Sequence, residues 1–102
     1  MAMNEDWITR HVIVSGRVQG VGYRAWVELQ ALQRDLDGFV RNRYAGTVEA
    51  VFAGEPAAVA AMVAACEAGP PGARVERVEA REATAEELAL SDAAGFVCLP
   101  TV

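Results

Sequence analysis

The sequence contains no lysine, one histidine and only two cysteines among its 102 residues. Without lysine, the chain cannot form the Gly-Lys-Ser/Thr phosphate loop of nucleotide-binding proteins or a Schiff base with a carbonyl substrate. His11, Cys66 and Cys98 lack the spacing of zinc ligands, so no metal site is expected. We expect both cysteines to be buried apolar side chains in a reducing compartment. Arginine is therefore the only strong cation available to bind an anion.

Long apolar runs are also absent, since no segment approaches the ~18 residues that a membrane-spanning helix needs. Residues 1–10 are acidic and lack the basic, then apolar, segments of a signal peptide. Apolar residues make up 53% of the chain, which is enough for one modest core. We therefore expect a cytoplasmic, monomeric protein with a single domain over residues 1–102, of which 1–8 form an N-terminal extension. No membrane partner is expected.

Charge is unevenly distributed along the chain. The net charge is −5, but residues 10–43 carry six arginines and three acidic residues, whereas residues 44–102 carry three arginines and nine acidic residues. The negative total disfavours nucleic-acid binding, so no nucleic-acid partner is expected. The basic first half remains suited to a local anion site on an acidic protein.

The spacing of apolar residues predicts the element order β-α-β-β-α-β, followed by a C-terminal edge strand. The helices are expected to begin at Tyr23 and Pro56 and to end at Asp37-Gly38 and at Gly69. The predicted strands span residues 8–16, 39–44, 47–53, 73–83 and 96–102. This order is the split β-α-β arrangement, and it predicts an α+β, ferredoxin-like two-layer sandwich with two helices on one face of an antiparallel sheet.

The same patterns predict which faces are buried. Val12 and Val14 alternate with His11 in the first strand, so we expect His11 on a sheet face left to solvent. A capping box that begins at Thr84 predicts a short helical turn. The first helix is expected to bury Ala25, Leu29, Leu32 and Leu36, and the second to bury Val59, Met62, Val63 and Cys66.

A glycine-rich segment, GRVQGVGYR (residues 16–24), separates the first strand from the first helix. Backbone N–H groups in such a turn form a concave anion site, and the helix N-terminus adds further donors. Arg24 lies in the first helical turn, where a cation is unfavourable beside the helix dipole unless an anion is bound. From the residue types alone, a phosphate site and a structural turn with a solvated arginine remain equally acceptable. Residues 20–25 also fit a dinucleotide-binding pattern, but Arg41 and Arg43 stand where its acidic partner is needed.

GRVQGVGYR and GFVRNRYAGTVEAVFAG (residues 38–54) together resemble the two-part signature of the acylphosphatases. GPPGARVERVE (residues 69–79) is similar to the link into the fourth strand of that family. The resemblance runs from Arg10 to Glu79. It implies the ferredoxin-like fold and an enzyme that hydrolyses the carboxyl–phosphate bond of small acyl phosphates to a carboxylate and inorganic phosphate. It implies no metal and no cofactor.

The resemblance also implies roles for individual residues. Arg24 would grip the phosphate oxygens and Asn42 would hold the attacking water. An amide orients a water but is a poor base, which suits a loose phosphoryl transfer that depends on positioning. Judged by residue type alone, Asn42 is instead a strand-end residue that caps the hairpin. The residues implied to bind phosphate through their backbone are Arg17, Val18, Gln19, Gly20, Val21 and Gly22.

Two functions other than the enzyme are compatible with this kind of loop or sheet. A non-catalytic anion-binding or regulatory module would use the same fold and the same loop. An RNA-binding sheet face is disfavoured by the negative charge and by the small share of aromatic residues, 7%. Turnover of an acyl phosphate in the presence of a chelator separates the enzyme from the module.

Overall fold

The computed structural model describes residues 6–91 and 95–102 of the chain. Its sheet has the strand order β4-β1-β3-β2-β5. Neighbouring strands are antiparallel except β2 and β5, which run parallel. The ferredoxin-like prediction is confirmed, and the C-terminal strand lies at the sheet edge as expected. The elements are β1 (Ile8–Arg17), α1 (Tyr23–Gln33), β2 (Asp37–Asn42), β3 (Val48–Gly54), α2 (Pro56–Ala68), β4 (Arg74–Glu82), α3 (Ala85–Ala89) and β5 (Phe96–Cys98).

The main core lies between the sheet and the two long helices, α1 and α2. Val12 and Val14 of β1 pair with Ala50 and Val48 of β3, so the same face of both strands meets the helices. The apolar residues of α2 predicted to face the core do so, and Val59, Met62 and Cys66 are fully buried. No helix in the described part of the chain is long and apolar enough to span a membrane.

The predicted buried face of α1 is wrong within the helix, although Leu36, which follows the helix, is buried as expected. Tyr23, Val27 and Ala31 are buried, whereas Leu29 and Leu32 are 54% and 51% exposed. Positions 23, 27 and 31 lie on the side of the helix opposite to 25, 29 and 32, so α1 carries two apolar stripes. The Tyr23 hydroxyl donates to the Cys66 carbonyl oxygen of α2 at 2.6 Å, which fixes the first stripe against the core.

The predicted end of α1 at Asp37-Gly38 is also wrong, because the helix ends at Gln33. Asp35 adopts a left-handed conformation with φ of 55°. Its N–H donates to the Leu32 carbonyl, and the Leu36 N–H donates to the Ala31 carbonyl. These two bonds form a Schellman motif, which glycine usually terminates and which Asp35 terminates here.

The second sheet face is not left to solvent as predicted. His11 and Glu49 are 6% and 4% exposed there, and the neighbouring Phe39 and Val51 are fully buried. Helix α3 contacts β3 on this side of the molecule and begins at the predicted capping box of Thr84. His11 is therefore a buried polar residue rather than an inert surface one.

Candidate active site

A cleft of about 300 Å³ opens where β1 and β2 end. These strands flank β3 and both run antiparallel to it, so their C-terminal ends lie at one edge of the sheet. The cleft includes Arg24, Asn42 and four of the residues predicted to bind phosphate, whereas the exposed Arg17 and the half-buried Val21 do not line it. Its lining residues are Val18, Gln19, Gly20, Gly22, Tyr23, Arg24, Ala25, Glu28, Asn42 and Cys98.

The loop between β1 and α1 leaves its backbone donors unused. Gly20 and Gly22 have φ of 75° and 80°, in the left-handed region that favours glycine. A Cβ at either position would meet no atom within 4 Å, so conformation rather than space requires glycine. Among the described residues, no backbone hydrogen bond outside the helices and strands uses an N–H of residues 18–22 as its donor. These N–H groups are available to an anion.

The N-terminus of α1 adds positive potential to the same cleft. Gly22 is its N-cap, no side chain caps it, and its first turn contains no acidic residue. The first helical bond runs from the Trp26 N–H to the Gly22 carbonyl at 3.0 Å, which leaves the preceding N–H groups without a helical acceptor. Arg24 is half-buried, and none of the side-chain hydrogen bonds or ion pairs of residues 6–91 and 95–102 includes it. Free N–H groups, the helix dipole and an unpaired guanidinium therefore converge, an arrangement suited to an anion.

Asn42 lies at the end of β2, opposite Val48 of β3. It alternates with Arg41, so its side chain shares the helix-facing side of the sheet with Val40. Its Oδ1 atom is buried and has no hydrogen-bond partner among the described residues. Asn42 therefore does not cap the hairpin, contrary to the interpretation from residue type alone. A buried amide oxygen left without a donor costs about 1–3 kcal/mol, and this acceptor is able to take a hydrogen bond from a small donor.

The hairpin after Asn42 turns through a three-residue loop, residues 44–46, rather than through the two-residue Ala45-Gly46 turn that the predicted strands 39–44 and 47–53 imply. The Arg43 N–H donates to the Thr47 carbonyl and the Gly46 N–H to the Arg43 carbonyl, both at 2.9 Å. Gly46 has φ of 101°, as the last residue of a three-residue hairpin loop requires. This turn fixes where β2 stops and hence where Asn42 stands.

The side chain of Gln19 has a role that the sequence did not reveal. Its Nε2 donates to the Arg43 carbonyl at 2.8 Å and to the Thr47 carbonyl at 2.9 Å. Only a backbone N–H contribution was expected of this residue. Its partners are 24 and 28 positions away in the chain, and no local pattern indicates such contacts.

Two further cleft residues, Glu28 and Cys98, were also missed. Glu28 lies one helical turn after Arg24, and this spacing alone places both on one face of α1. Cys98 is an exposed free thiol rather than the buried one expected, because the parallel pairing of β5 with β2 brings it to the cleft. Cys66 is buried as expected, and burial raises the pKa of its thiol to about 11.

Trp26 does not line the cleft. Its ring packs against Tyr23, with the two ring centroids 5.5 Å apart.

A second polar cluster lies on the opposite sheet face. His11, Glu49 and Glu87 have ligand atoms within 4.8 Å of one another, which are residue types that bind divalent metals. However, Glu49 Oε1 accepts from Arg41 Nε at 2.6 Å, and both Glu87 oxygens accept from Arg81. With both carboxylates already paired with guanidinium groups, the cluster is an ion-pair network that fastens α3 to the sheet.

This network lowers the pKa of Glu49. Burial alone would raise the pKa of Glu49, but hydrogen bonds from His11, Arg41 and Arg43 outweigh it and hold the pKa below its usual value. The ionised Glu49 therefore stabilises the fold above the pKa of the unfolded chain. That contribution is lost as the pH falls through the lower, folded-state pKa.

We expect Glu49→Gln to lower the free energy of unfolding by about 3 kcal/mol near neutral pH, because it leaves the largely covered Arg41 guanidinium without its carboxylate. The variant should also lose less stability than the wild type on acidification, since the titrating group is gone. Urea unfolding across a pH series measures both effects. Glu79→Gln is the matched control, because its ion pair with Arg77 is exposed and should contribute below about 1 kcal/mol. Equal losses in the two variants would contradict the assignment.

Comparisons with known proteins agree with this geometry. The acylphosphatase family model matches residues 10–96. An acylphosphatase of Bradyrhizobium diazoefficiens is 58% identical over 92 residues, which cover 89% of this chain and 93% of the relative. A Coxiella burnetii acylphosphatase structure has a TM-score of 0.83 at 34% identity, covering 93% of this chain and 95% of that one. The Bacillus subtilis acylphosphatase crystal structure gives 0.80 at 34% identity, with 90% and 98% covered. The chain therefore belongs to the acylphosphatase family of hydrolases.

Proposed function

We propose that the cleft hydrolyses small acyl phosphates without a metal, with each step assigned to particular atoms. The backbone of loop 17–22 and the Arg24 guanidinium hold the phosphoryl group, and Asn42 holds the attacking water. One observation carries the proposal: the loop N–H groups, the Arg24 guanidinium and the buried Asn42 Oδ1 line a single cleft, and none of them has a hydrogen-bond partner among the described residues. The acylphosphatase activity itself follows from family membership.

The phosphoryl group is bound by two kinds of donor. Loop N–H groups contact its oxygens from the backbone, and the guanidinium of Arg24 contacts two oxygens at once. The positive end of α1 adds to the same field. Because these groups are fixed by the strand, the loop and the helix, they need no reorganisation as charge shifts toward the leaving carboxylate.

The water is bound by the amide of Asn42. Oδ1 accepts a hydrogen bond from the water, which leaves a lone pair of the water oxygen directed at phosphorus. The new P–O bond forms as the bond to the acyl oxygen breaks, the carboxylate leaves, and a phosphate oxygen takes the water proton. No strong base is needed, because phosphoryl transfer depends mainly on positioning and charge stabilisation.

Glu28 is the carboxylate among the described residues that line the cleft. Because the mechanism needs no strong base, Glu28→Gln should keep most of the activity.

The test is hydrolysis of benzoyl phosphate with and without a metal chelator. The expected result is the same rate in both, with competitive inhibition by inorganic phosphate. A rate lost in chelator and restored by a divalent metal would overturn the metal-free mechanism. Phosphate binding without turnover would instead favour the non-catalytic module.

The substrate and setting follow from the same cleft. A volume of about 300 Å³ suits a small acyl phosphate rather than a macromolecule, with inorganic phosphate as the product. We also propose that the enzyme acts as a monomer. A mass of 10.9 kDa by light scattering is expected. Two free cysteines suit the reducing cytoplasm.

A further inference from the structure

Gln19 connects the two halves of the cleft. We infer that Gln19 is a positioning residue, whose side chain fixes Asn42 relative to the phosphate-binding loop. The inference rests on the proposed role of Asn42 and adds a residue that this role requires. It concerns the side chain of Gln19, not its backbone N–H.

The contacts of Gln19 are specific. Its Nε2 group has two N–H donors, and both are used, at 2.8 Å to the Arg43 carbonyl and 2.9 Å to the Thr47 carbonyl. Arg43 and Thr47 are the pair that closes the hairpin directly after Asn42. Within the described part of the chain, these are the hydrogen bonds that run between the loop and the hairpin.

Neither carbonyl needs Gln19 for its own satisfaction. The Arg43 carbonyl also accepts from the Gly46 N–H, and the Thr47 carbonyl also accepts from the Arg43 N–H. Removing Gln19 therefore leaves no backbone acceptor without a partner, and the loss of stability should be small. The two bonds therefore serve to orient the hairpin relative to the loop rather than to stabilise the fold.

Position matters at this point of the cleft. Arg24 follows the loop, and Asn42 stands on a different element, so their separation depends on how the loop sits against the hairpin. Arg43 is held on its other side by Glu49, whose Oε1 accepts from its guanidinium at 3.2 Å. Gln19 holds the backbone of Arg43 from the cleft side, through the hydrogen bond to the Arg43 carbonyl. A misplacement of about 1 Å between reacting groups can cost about 10²-fold in rate.

The test is Gln19→Met, which keeps the length of the side chain and removes both donors. We expect kcat for benzoyl phosphate to fall by about 10- to 100-fold. The inhibition constant of inorganic phosphate should change less than about threefold, because the loop amides and Arg24 remain. Gln33→Met is the matched control, since Gln33 is exposed at the end of α1 and outside the cleft.

Gln19→Glu supplies a pH readout that a merely structural role would not give. The ionised carboxylate has no donor, whereas the protonated acid has one. The activity of this variant relative to wild type should therefore rise as the pH falls toward about 4.

The NMR resonance of the Asn42 side-chain amide is a further readout. It should shift in Gln19→Met and not in Gln33→Met.

Three outcomes overturn the inference. They are a kcat of Gln19→Met within about twofold of wild type, a loss of phosphate affinity as large as the loss of rate, and an unmoved Asn42 resonance. Asn42→Ala in the same assay separates the two proposals. If Asn42→Ala is fully active, the proposed function has failed. If it is impaired and Gln19→Met is not, only the positioning role has failed.

Discussion

Replacing Arg24 with alanine is expected to lower kcat/KM for benzoyl phosphate by about 10³-fold, which corresponds to about 4 kcal/mol of transition-state stabilisation. The guanidinium of Arg24 is the cation that lines the cleft, and it is not committed to any ion pair of the described residues. Its loss removes a contact made in both the bound state and the transition state. Phosphate inhibition should therefore weaken together with the rate.

The chemistry of the guanidinium can be tested separately from its charge. Arg24→Lys keeps one positive charge but cannot contact two oxygens in a fixed fork, so it should still lose most of the activity. Arg17→Ala is the matched control, because Arg17 belongs to the same loop but its exposed side chain does not line the cleft. It should keep activity within about threefold, since only its backbone is proposed to contribute. Near-full activity of Arg24→Lys would contradict the two-oxygen contact.

Replacing Asn42 with alanine is expected to lower kcat by about 10²- to 10³-fold with little change in the inhibition constant of phosphate. The variant keeps the loop and Arg24, so the phosphoryl group still binds. It loses the group that orients the water. Steady-state kinetics with phosphate as inhibitor measures both quantities.

Asn42→Ala should also be at least as stable as the wild type. The substitution removes a buried oxygen that has no partner among the described residues, so the cost of desolvating it disappears. Higher stability with lower activity is the expected signature of a residue kept for function. A loss of both stability and phosphate affinity would instead indicate a structural role. Thermal unfolding of the two proteins decides between these outcomes.

The element order was predictable because the local patterns agreed with the tertiary structure. Alternation in β1 and the apolar positions of α2 indicated the correct faces. Val75 and Val78 are three residues apart, a spacing that fits either a helix or a bulged strand, and the structure shows the bulged strand. Gly16 pairs with Val75 and Val14 with Val78, so the register shifts after Ser15 and the two valines frame a bulge.

The structural predictions failed where one local sequence pattern fitted more than one structure. Helix α1 has two apolar stripes, and only packing against α2 selects the one with Tyr23. Helix α1 ends at Gln33, and Asp35 rather than a glycine takes the left-handed conformation after it, so Gly38 was a misleading end signal. The prediction that His11 faces solvent was wrong, because the sequence does not show that α3 packs against this side of the sheet.

Residue patterns predicted only the part of the cleft that is contiguous in sequence. The loop and the helix start are contiguous in sequence, so their combined anion site was visible from residues 16–24. Asn42 needed the family resemblance, since its residue type alone favoured a turn. The Gln19 side chain and Cys98 depend on contacts between distant segments, and composition or spacing does not encode those contacts.

The phosphate site is tested most directly by a titration of the ¹⁵N-labelled enzyme with inorganic phosphate, followed through its amide resonances. We expect saturable shifts at the N–H groups of residues 18–24 and at the side chains of Arg24 and Asn42, with β4 and α2 unmoved. Saturable shifts confined to the opposite sheet face around His11, or none in the loop, would contradict it.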